Sequence, residues 1–232
     1  MFLLFLEDYL KKIYYLCMIF NNDMERALQN IGNIPITTTT LQNILPKHLS
    51  FNAYISRLEK TGELVRLKKG LYVVSKQISH QDYNTYLIAN RLYGPSYISF
   101  YTALQYHGLI DDLVQTIQST TIKRSTNFIN PIGYFTFTSV DIAYFSIGIQ
   151  QILSNGTSYL IATKEKALCD LLTCTSNLNF RYQKELREYL TYDLRFDMDR
   201  LKTFDTNILS ACMETGKKTH IIKTLIKIIQ KA

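Results

Sequence analysis

The segment 51–74 limits the possible folds more than any other stretch of this chain. Phe51, Tyr54, Ile55 and Leu58 repeat at helical spacing behind Ser50, a residue type suited to an N-cap. Gly62 ends that period, and the pattern becomes Leu64-Val65-Arg66-Leu67, then Lys68-Lys69-Gly70, then Leu71-Tyr72-Val73-Val74. Two short β-branched and aromatic runs about a glycine-containing turn predict a hairpin. Upstream, residues 24–31 predict a short helix, with Asn22 or Asp23 as its N-cap and Gly32 past its end. Thr37–Thr40 leads into a second helix through Leu41, Ile44 and Leu45, stopped by Pro46.

Three helices followed by a basic hairpin is the element order of a winged helix-turn-helix. At 100° per residue the third helix gathers its apolar positions on one side and leaves Asn52, Ala53, Ser56, Arg57 and Lys60 on the other. Short polar and cationic side chains on one face are what base edges and phosphates require. The candidate DNA-contacting residues are Lys47, Ser50, Asn52, Ser56, Arg57, Lys60, Arg66, Lys68 and Lys69, with Arg57 the candidate for a bidentate base contact and Lys68-Lys69 the wing tip. Charge agrees with this placement. The net charge is +7, yet residues 46–76 carry seven Lys/Arg against only Glu59 and Glu63, and the tail from Lys217 adds five Lys with no acid. A localised basic block points to a polyanion. With the helix and hairpin it is read as duplex DNA. Two linked modules gain by effective concentration, so inverted half-sites in the promoter are expected.

The rest of the composition narrows the class. Hydrophobic residues reach 47% and charged residues 19%, which excludes wholesale disorder. Cys17, Cys169, Cys174 and Cys212 form no CxxC pair and read as reduced thiols of a cytoplasmic protein. His48, His80, His107 and His220 lack metal-ligand spacing, so neither a metal nor another cofactor is expected. Phe2–Leu6 and Ile13–Phe20 are apolar but shorter than a membrane span, and the charges around them are in the wrong order for a signal peptide. Residues 1–22 read as an added helical extension or as sequence ahead of a start near Met18 or Met24, with no membrane partner.

Beyond Ser75 the pattern changes, which places a domain boundary near 77–82. Helices are expected over Tyr83–Leu92, Ser99–Tyr106, Lys164–Leu172 (capped by Thr163), Arg181–Leu190, Met198–Phe204, Ile208–Glu214 and Thr219–Gln230. Strands are expected over Thr116–Ile122, Tyr134–Val140 and Tyr159–Ala162. The fold class is therefore α+β: an N-terminal winged helix-turn-helix over 23–77 and a mixed α/β domain over 80–232.

Tyr93-Gly94-Pro95-Ser96-Tyr97-Ile98-Ser99, Ala103-Leu104, His107-Gly108-Leu109 and Ile161-Ala162-Thr163-Lys164-Glu165-Lys166-Ala167-Leu168-Cys169-Asp170 together resemble the AbiEi family of antitoxins. Arg57 to Leu64 and Lys69 to Tyr72 resemble that family's winged helix-turn-helix, and the likeness spans roughly residues 24–205. The resemblance implies an autorepressor that neutralises a nucleotidyltransferase-like toxin in abortive phage defence. Neutralisation of this type IV kind does not require the antitoxin to grip the toxin. It also singles out Lys164, Glu165, Lys166 and Asp170 as the motif of the antitoxin domain.

Catalytic chemistry is not expected. GxSxG, GxxxxGK[ST] and GxGxxG are absent from the sequence. Asp197-Met198-Asp199 resembles a metal-binding DxD but reads better as acids in the first turn of a helix. Lys166 and Asp170 stand four apart and can simply pair, with Ala167, Leu168, Leu171 and Leu172 burying the opposite face. His107 reads as a helix-end residue on its own last carbonyls. Lys123 and Arg124 read as a phosphate site, a partner contact or plain surface. The tail reads as an amphipathic helix with its lysines outward, or as a second anionic contact. Two rival functions remain: a stand-alone regulator whose C-terminal domain senses a ligand or dimerises, and a DNA-tethered nuclease or nucleotidyltransferase.

Overall fold

Residues 24–31 form a helix (α1) that buries Met24 and Leu28 and ends at Gly32, where φ is +64°. The computed structural model describes residues 24–45, 50–111 and 114–231. The expected extension 1–22, its cap at Asn22 or Asp23, Cys17, Lys47 and His48 lie outside the described residues. The short strand β1 (Ile36–Thr37) leads into α2 (Thr38–Ile44), whose N-cap Thr37 accepts a hydrogen bond from the Thr40 N–H at 3.2 Å. Helix α3 (Phe51–Lys60) buries Tyr54, Ile55 and Leu58. Ser50 occupies its N-cap position, but its side chain makes no capping bond.

The end of α3 is a Schellman turn. Gly62, at φ +79°, supplies the left-handed residue, and the Glu63 N–H donates to the Leu58 carbonyl at 2.9 Å. The chain passes at once into β2 (Leu64–Lys68) and β3 (Leu71–Val74), which pair antiparallel with a bulge between Arg66 and Lys68. With β1 they make a sheet of order β1-β3-β2. The hairpin is fastened at both ends: Ser75 N–H donates to Glu63 O at 2.9 Å, and Thr38 N–H donates to Gly70 O at 3.1 Å. One apolar cluster, including Leu28, Ile36, Leu41, Ile55, Leu58, Leu64 and Val74, unites these elements.

Helix α4 (Lys76–Ser79) and the chain after it also belong here. Lys76 Nζ pairs with Asp82 at 2.7 Å, and the Asn33 side chain donates to the Asp82 carbonyl. The first compact unit accordingly runs to Asn84 and the second begins at Thr85, beyond the pattern change at 77–82.

The second unit comprises α5 (Thr85–Leu92), β4 (Ser96–Ile98), α6 (Phe100–Tyr106), β5 (Thr116–Thr121), β6 (Thr126–Asn130), β7 (Gly133–Ser139), α7 (Ile142–Phe145), β8 (Ile149–Ser154), β9 (Thr157–Ala162), α8 (Lys164–Cys174) and α9 (Gln183–Glu188). A π-helical turn (Tyr189–Asp193) and a 3-10 segment (Met198–Thr203) precede α10 (Thr206–Thr215) and α11 (Thr219–Ile229). Its sheet has the order β6-β7-β5-β4-β9-β8, parallel between β5 and β7 and between β4 and β9 and antiparallel elsewhere. The described residues thus form an α+β fold with two sheets.

Helix α8 is the centre of this unit. Thr163 caps it through the Lys166 N–H, and every residue from Glu165 to Thr173 is buried. It packs against α6, α10 and α11. The closing helix α11 turns Ile221, Ile222, Leu225 and Ile228 inward and leaves Lys223 and Lys227 exposed. Lys218, just before it, is engaged by the Thr175 and Leu178 carbonyls. No helix among the described residues is long and apolar enough to cross a membrane.

Candidate functional site

In the first unit a groove opens between α3 and the hairpin, lined by Thr38, Asn52, Ile55, Ser56, Glu59, Arg66, Lys69, Gly70 and Tyr72. Asn52, Ser56 and Glu59 follow i, i+4, i+7 spacing and so share one stripe of α3. Arg66 stands opposite Tyr72 in the β2–β3 register, and the positive φ of Gly70 (+79°) forms the turn that carries Lys69. Four of the residues singled out for DNA contact therefore meet in one groove: Asn52, Ser56, Arg66 and Lys69. Ser50, Arg57, Lys60 and Lys68 lie outside it.

Arg57 is exposed, but its guanidinium lies over the Tyr54 ring at 5.2 Å from the centroid, a cation–π contact that orients it. Arg66 Nη1 lies 4.0 Å from Glu59 Oε1, with the two side chains 46% and 34% exposed. The sequence reading passed over Thr38, Glu59 and Tyr72. Helical spacing from Asn52 and Ser56 would have found Glu59, whereas Thr38 and Tyr72 depend on the closure of the sheet.

In the second unit the motif residues converge in the interior. Lys166 and Asp170 pair at 3.3 Å between Nζ and Oδ1 with both side chains 0% exposed. Oδ1 takes no hydrogen bond, so this attraction is electrostatic. Oδ2 accepts three hydroxyls: Ser99 at 2.6 Å, Tyr97 at 3.0 Å and Thr120 at 3.1 Å. Their convergence follows from the sheet. Tyr97 and Ser99 are two apart, and Thr120 is the cross-strand partner of Tyr97, so all three point to one face. Burial and the neighbouring Asp170 carboxylate push the Tyr97 hydroxyl far above the ordinary phenol range, so it remains a donor.

Lys166 Nζ also donates to the Tyr144 carbonyl at 2.7 Å and sits 3.0 Å from that ring's centroid. Gly148 makes this approach possible, because a Cβ there would lie 2.8 Å from Lys166 Cβ. Glu165, buried, accepts from the Asp205 N–H at 3.1 Å, and Lys164 is bound by the carbonyl and hydroxyl of Thr203. The expectation of an i, i+4 pair opposite a buried face changes in one respect: α8 is buried on all sides, and the pair lies inside the core.

Other readings resolve individually. Asp197 is the N-cap of the 3-10 segment and Asp199 lies in its first turn. Lys123 donates to the Gly94 carbonyl and lies over the Tyr93 ring, while the Tyr93 hydroxyl donates to the Arg124 carbonyl. Cys169 and Cys212 are buried free thiols, and Cys174 is a half-buried one. Cys174 lines a cleft with Thr138, Asp141, Tyr144, Thr173 and Lys217.

His107 departs from expectation. Its ring reaches the Ala162 carbonyl on β9 at 2.8 Å, and the carbonyls of His107 and Gly108 take Arg200 Nη1 instead. A carbonyl only accepts, so Nε2 carries the hydrogen. Burial holds the imidazole's pKa below its ordinary 6.5, although the carbonyl bond opposes this. The unfolded chain then binds more protons than the folded one between the two pKa values. Stability is therefore full above about pH 6.5 and is lost as pH falls through that window. The urea midpoint should drop between pH 7.5 and pH 5.5 and drop less in His107→Gln. Equal slopes for the two proteins would exclude His107 as the cause.

The chain is thus an α+β protein whose first unit carries a cation-flanked groove and whose second is organised about a buried ion pair. No protein-family model and no curated protein matches it.

Proposed function

We propose that the first unit is a winged helix-turn-helix that binds duplex DNA, and that the protein is a transcriptional autorepressor and antitoxin of the AbiEi kind. The observation that carries the DNA-binding reading is the groove, in which Asn52 and Ser56 of α3 face Arg66 and Lys69 of the hairpin. Polar side chains on a helix beside a cationic wing combine base recognition with phosphate anchoring. The antitoxin reading rests on the sequence resemblance. Its support is that the stretches carrying that resemblance, 93–99 and 161–170, meet through Tyr97, Ser99 and Asp170. Under this reading the motif is a framework, and catalysis is not assigned to it.

The test is a titration of the protein's own promoter and of a scrambled duplex across several salt concentrations. Lys60→Ala with Lys69→Ala should weaken both duplexes alike and flatten the salt dependence. Asn52→Ala with Ser56→Ala should weaken the promoter by about 1–3 kcal/mol per base contact and leave the scrambled duplex unchanged. Unaltered promoter binding by both variants would reject this face. Co-expression with a nucleotidyltransferase-like toxin encoded beside it tests the antitoxin half. The cleft at Asp141, Cys174 and Lys217 favours a second reading, a stand-alone regulator whose C-terminal unit senses a small ligand.

A further inference from the structure

From the Glu59–Arg66 pair we infer that Glu59 is a built-in competitor for the DNA backbone, holding Arg66 out of phosphate contact until a duplex displaces it. The inference rests on the DNA-binding reading above and concerns how that same groove is regulated.

A helix seated in a DNA groove reads base edges along one stripe, while the cations of a hairpin beside it meet the sugar–phosphate strand. Asn52 and Ser56 form the helix stripe of this groove, Arg66 and Lys69 supply its cations, and Glu59 is the one carboxylate among its lining residues. Glu59 shares the α3 stripe of Asn52 and Ser56, so a strand seated in the groove meets it directly. A carboxylate facing a phosphodiester repels it, and its presence here calls for a partner.

That partner is Arg66, and the geometry of the pair suits exchange. At 4.0 Å the contact is an ion pair beyond hydrogen-bond distance, and both side chains are partly exposed. Such a pair is weak and screened by water. A phosphate offers the same guanidinium two short, charge-assisted hydrogen bonds. A buried, bidentate pair would lock Arg66, and an absent one would leave it available to any polyanion. The observed pair does neither. It withholds one cation from loosely seated DNA and releases it when a backbone enters the groove.

The experiment is a double-mutant cycle on the full chain, read by fluorescence anisotropy with a labelled 20-base-pair duplex of scrambled sequence and with the promoter. Glu59→Gln should tighten binding to the scrambled duplex about 3–10-fold at low salt and steepen the salt dependence by close to one phosphate contact. In an Arg66→Ala background the gain should shrink to the share contributed by direct repulsion between Glu59 and the strand. Glu59→Ala repeats the measurement without a side chain able to bond Arg66, and melting curves establish that each variant is folded. If wild type and Glu59→Gln both fail to bind either duplex, the DNA-binding reading itself falls. If wild type binds and Glu59→Gln binds no tighter, only the competitor role is overturned. An equal gain with and without Arg66 also overturns it, leaving plain repulsion by the carboxylate.

Discussion

Lys166→Ala is expected to destabilise the second unit by about 3–5 kcal/mol, the cost of leaving a buried charge without its partner. Asp170, 0% exposed, would keep three hydroxyl donors on Oδ2 but lose the cation facing Oδ1. Asp170→Asn should cost a comparable amount by stranding Lys166 against the Tyr144 ring. Replacing both by Met and Leu, often harmless for an isolated buried pair, should not restore stability here. Tyr97, Ser99 and Thr120 would then be buried hydroxyls without their acceptor. Urea denaturation of the four proteins checks this. A Lys166→Ala midpoint close to wild type, or full recovery in the double variant, would contradict the assignment of Asp170 as the hub.

The second large effect is expected at Gly148. Its φ of +60° is a conformation that side chains disfavour, and an added Cβ would meet Lys166 Cβ at 2.8 Å and Ile208 Cγ2 at 3.1 Å. The near atom on Lys166 is the rigid base of the side chain, which cannot swing away. Gly148→Ala should therefore cost about 2–4 kcal/mol from strain and overpacking together. Gly156 provides the control: its φ is +74°, but nothing lies within 4 Å of a built Cβ. Gly156→Ala should show the backbone cost alone. Equal losses at both positions, measured by thermal melting, would remove the packing argument.

Local pattern made parts of this fold legible. The period of Tyr54, Ile55 and Leu58 and the break at Gly62 marked α3, and Thr163 ahead of Lys164 marked the start of α8. Strands β6 and β8 escaped notice because both are sheet edges rich in Thr, Asn, Gln and Ser. Half of each such strand faces solvent, so its hydrophobic alternation is weak. Helix α8 misled in the opposite way. Lys166 and Asp170 read as a helical pair opposite one buried face, whereas the hydroxyls that receive Asp170 in the core come from β4, the residue after it and β5, 50 to 73 residues away in sequence. His107 failed for the same reason, its partner Ala162 being 55 residues distant. In the groove, spacing along one helix located Asn52 and Ser56. Opposition across the sheet brings Arg66 to them and the Gly70 turn brings Lys69, while the Tyr54 ring of α3 itself holds Arg57.

The double fastening of the hairpin bears on how such a chain can diverge. Glu63 is tied to Leu58, Ser75 to Glu63, and Gly70 to Thr38, so neither the base nor the tip is an open loop. An inserted residue between Lys60 and Ser75 would have to break one of these ties, slip the register of β2 on β3, or be taken up as a second bulge beside the one between Arg66 and Lys68. An added residue is better tolerated at an exposed turn such as Asn155–Gly156, where nothing lies within 4 Å of a Cβ built on Gly156. The distance from helix to hairpin behaves as a fixed ruler, set by backbone ties at both ends.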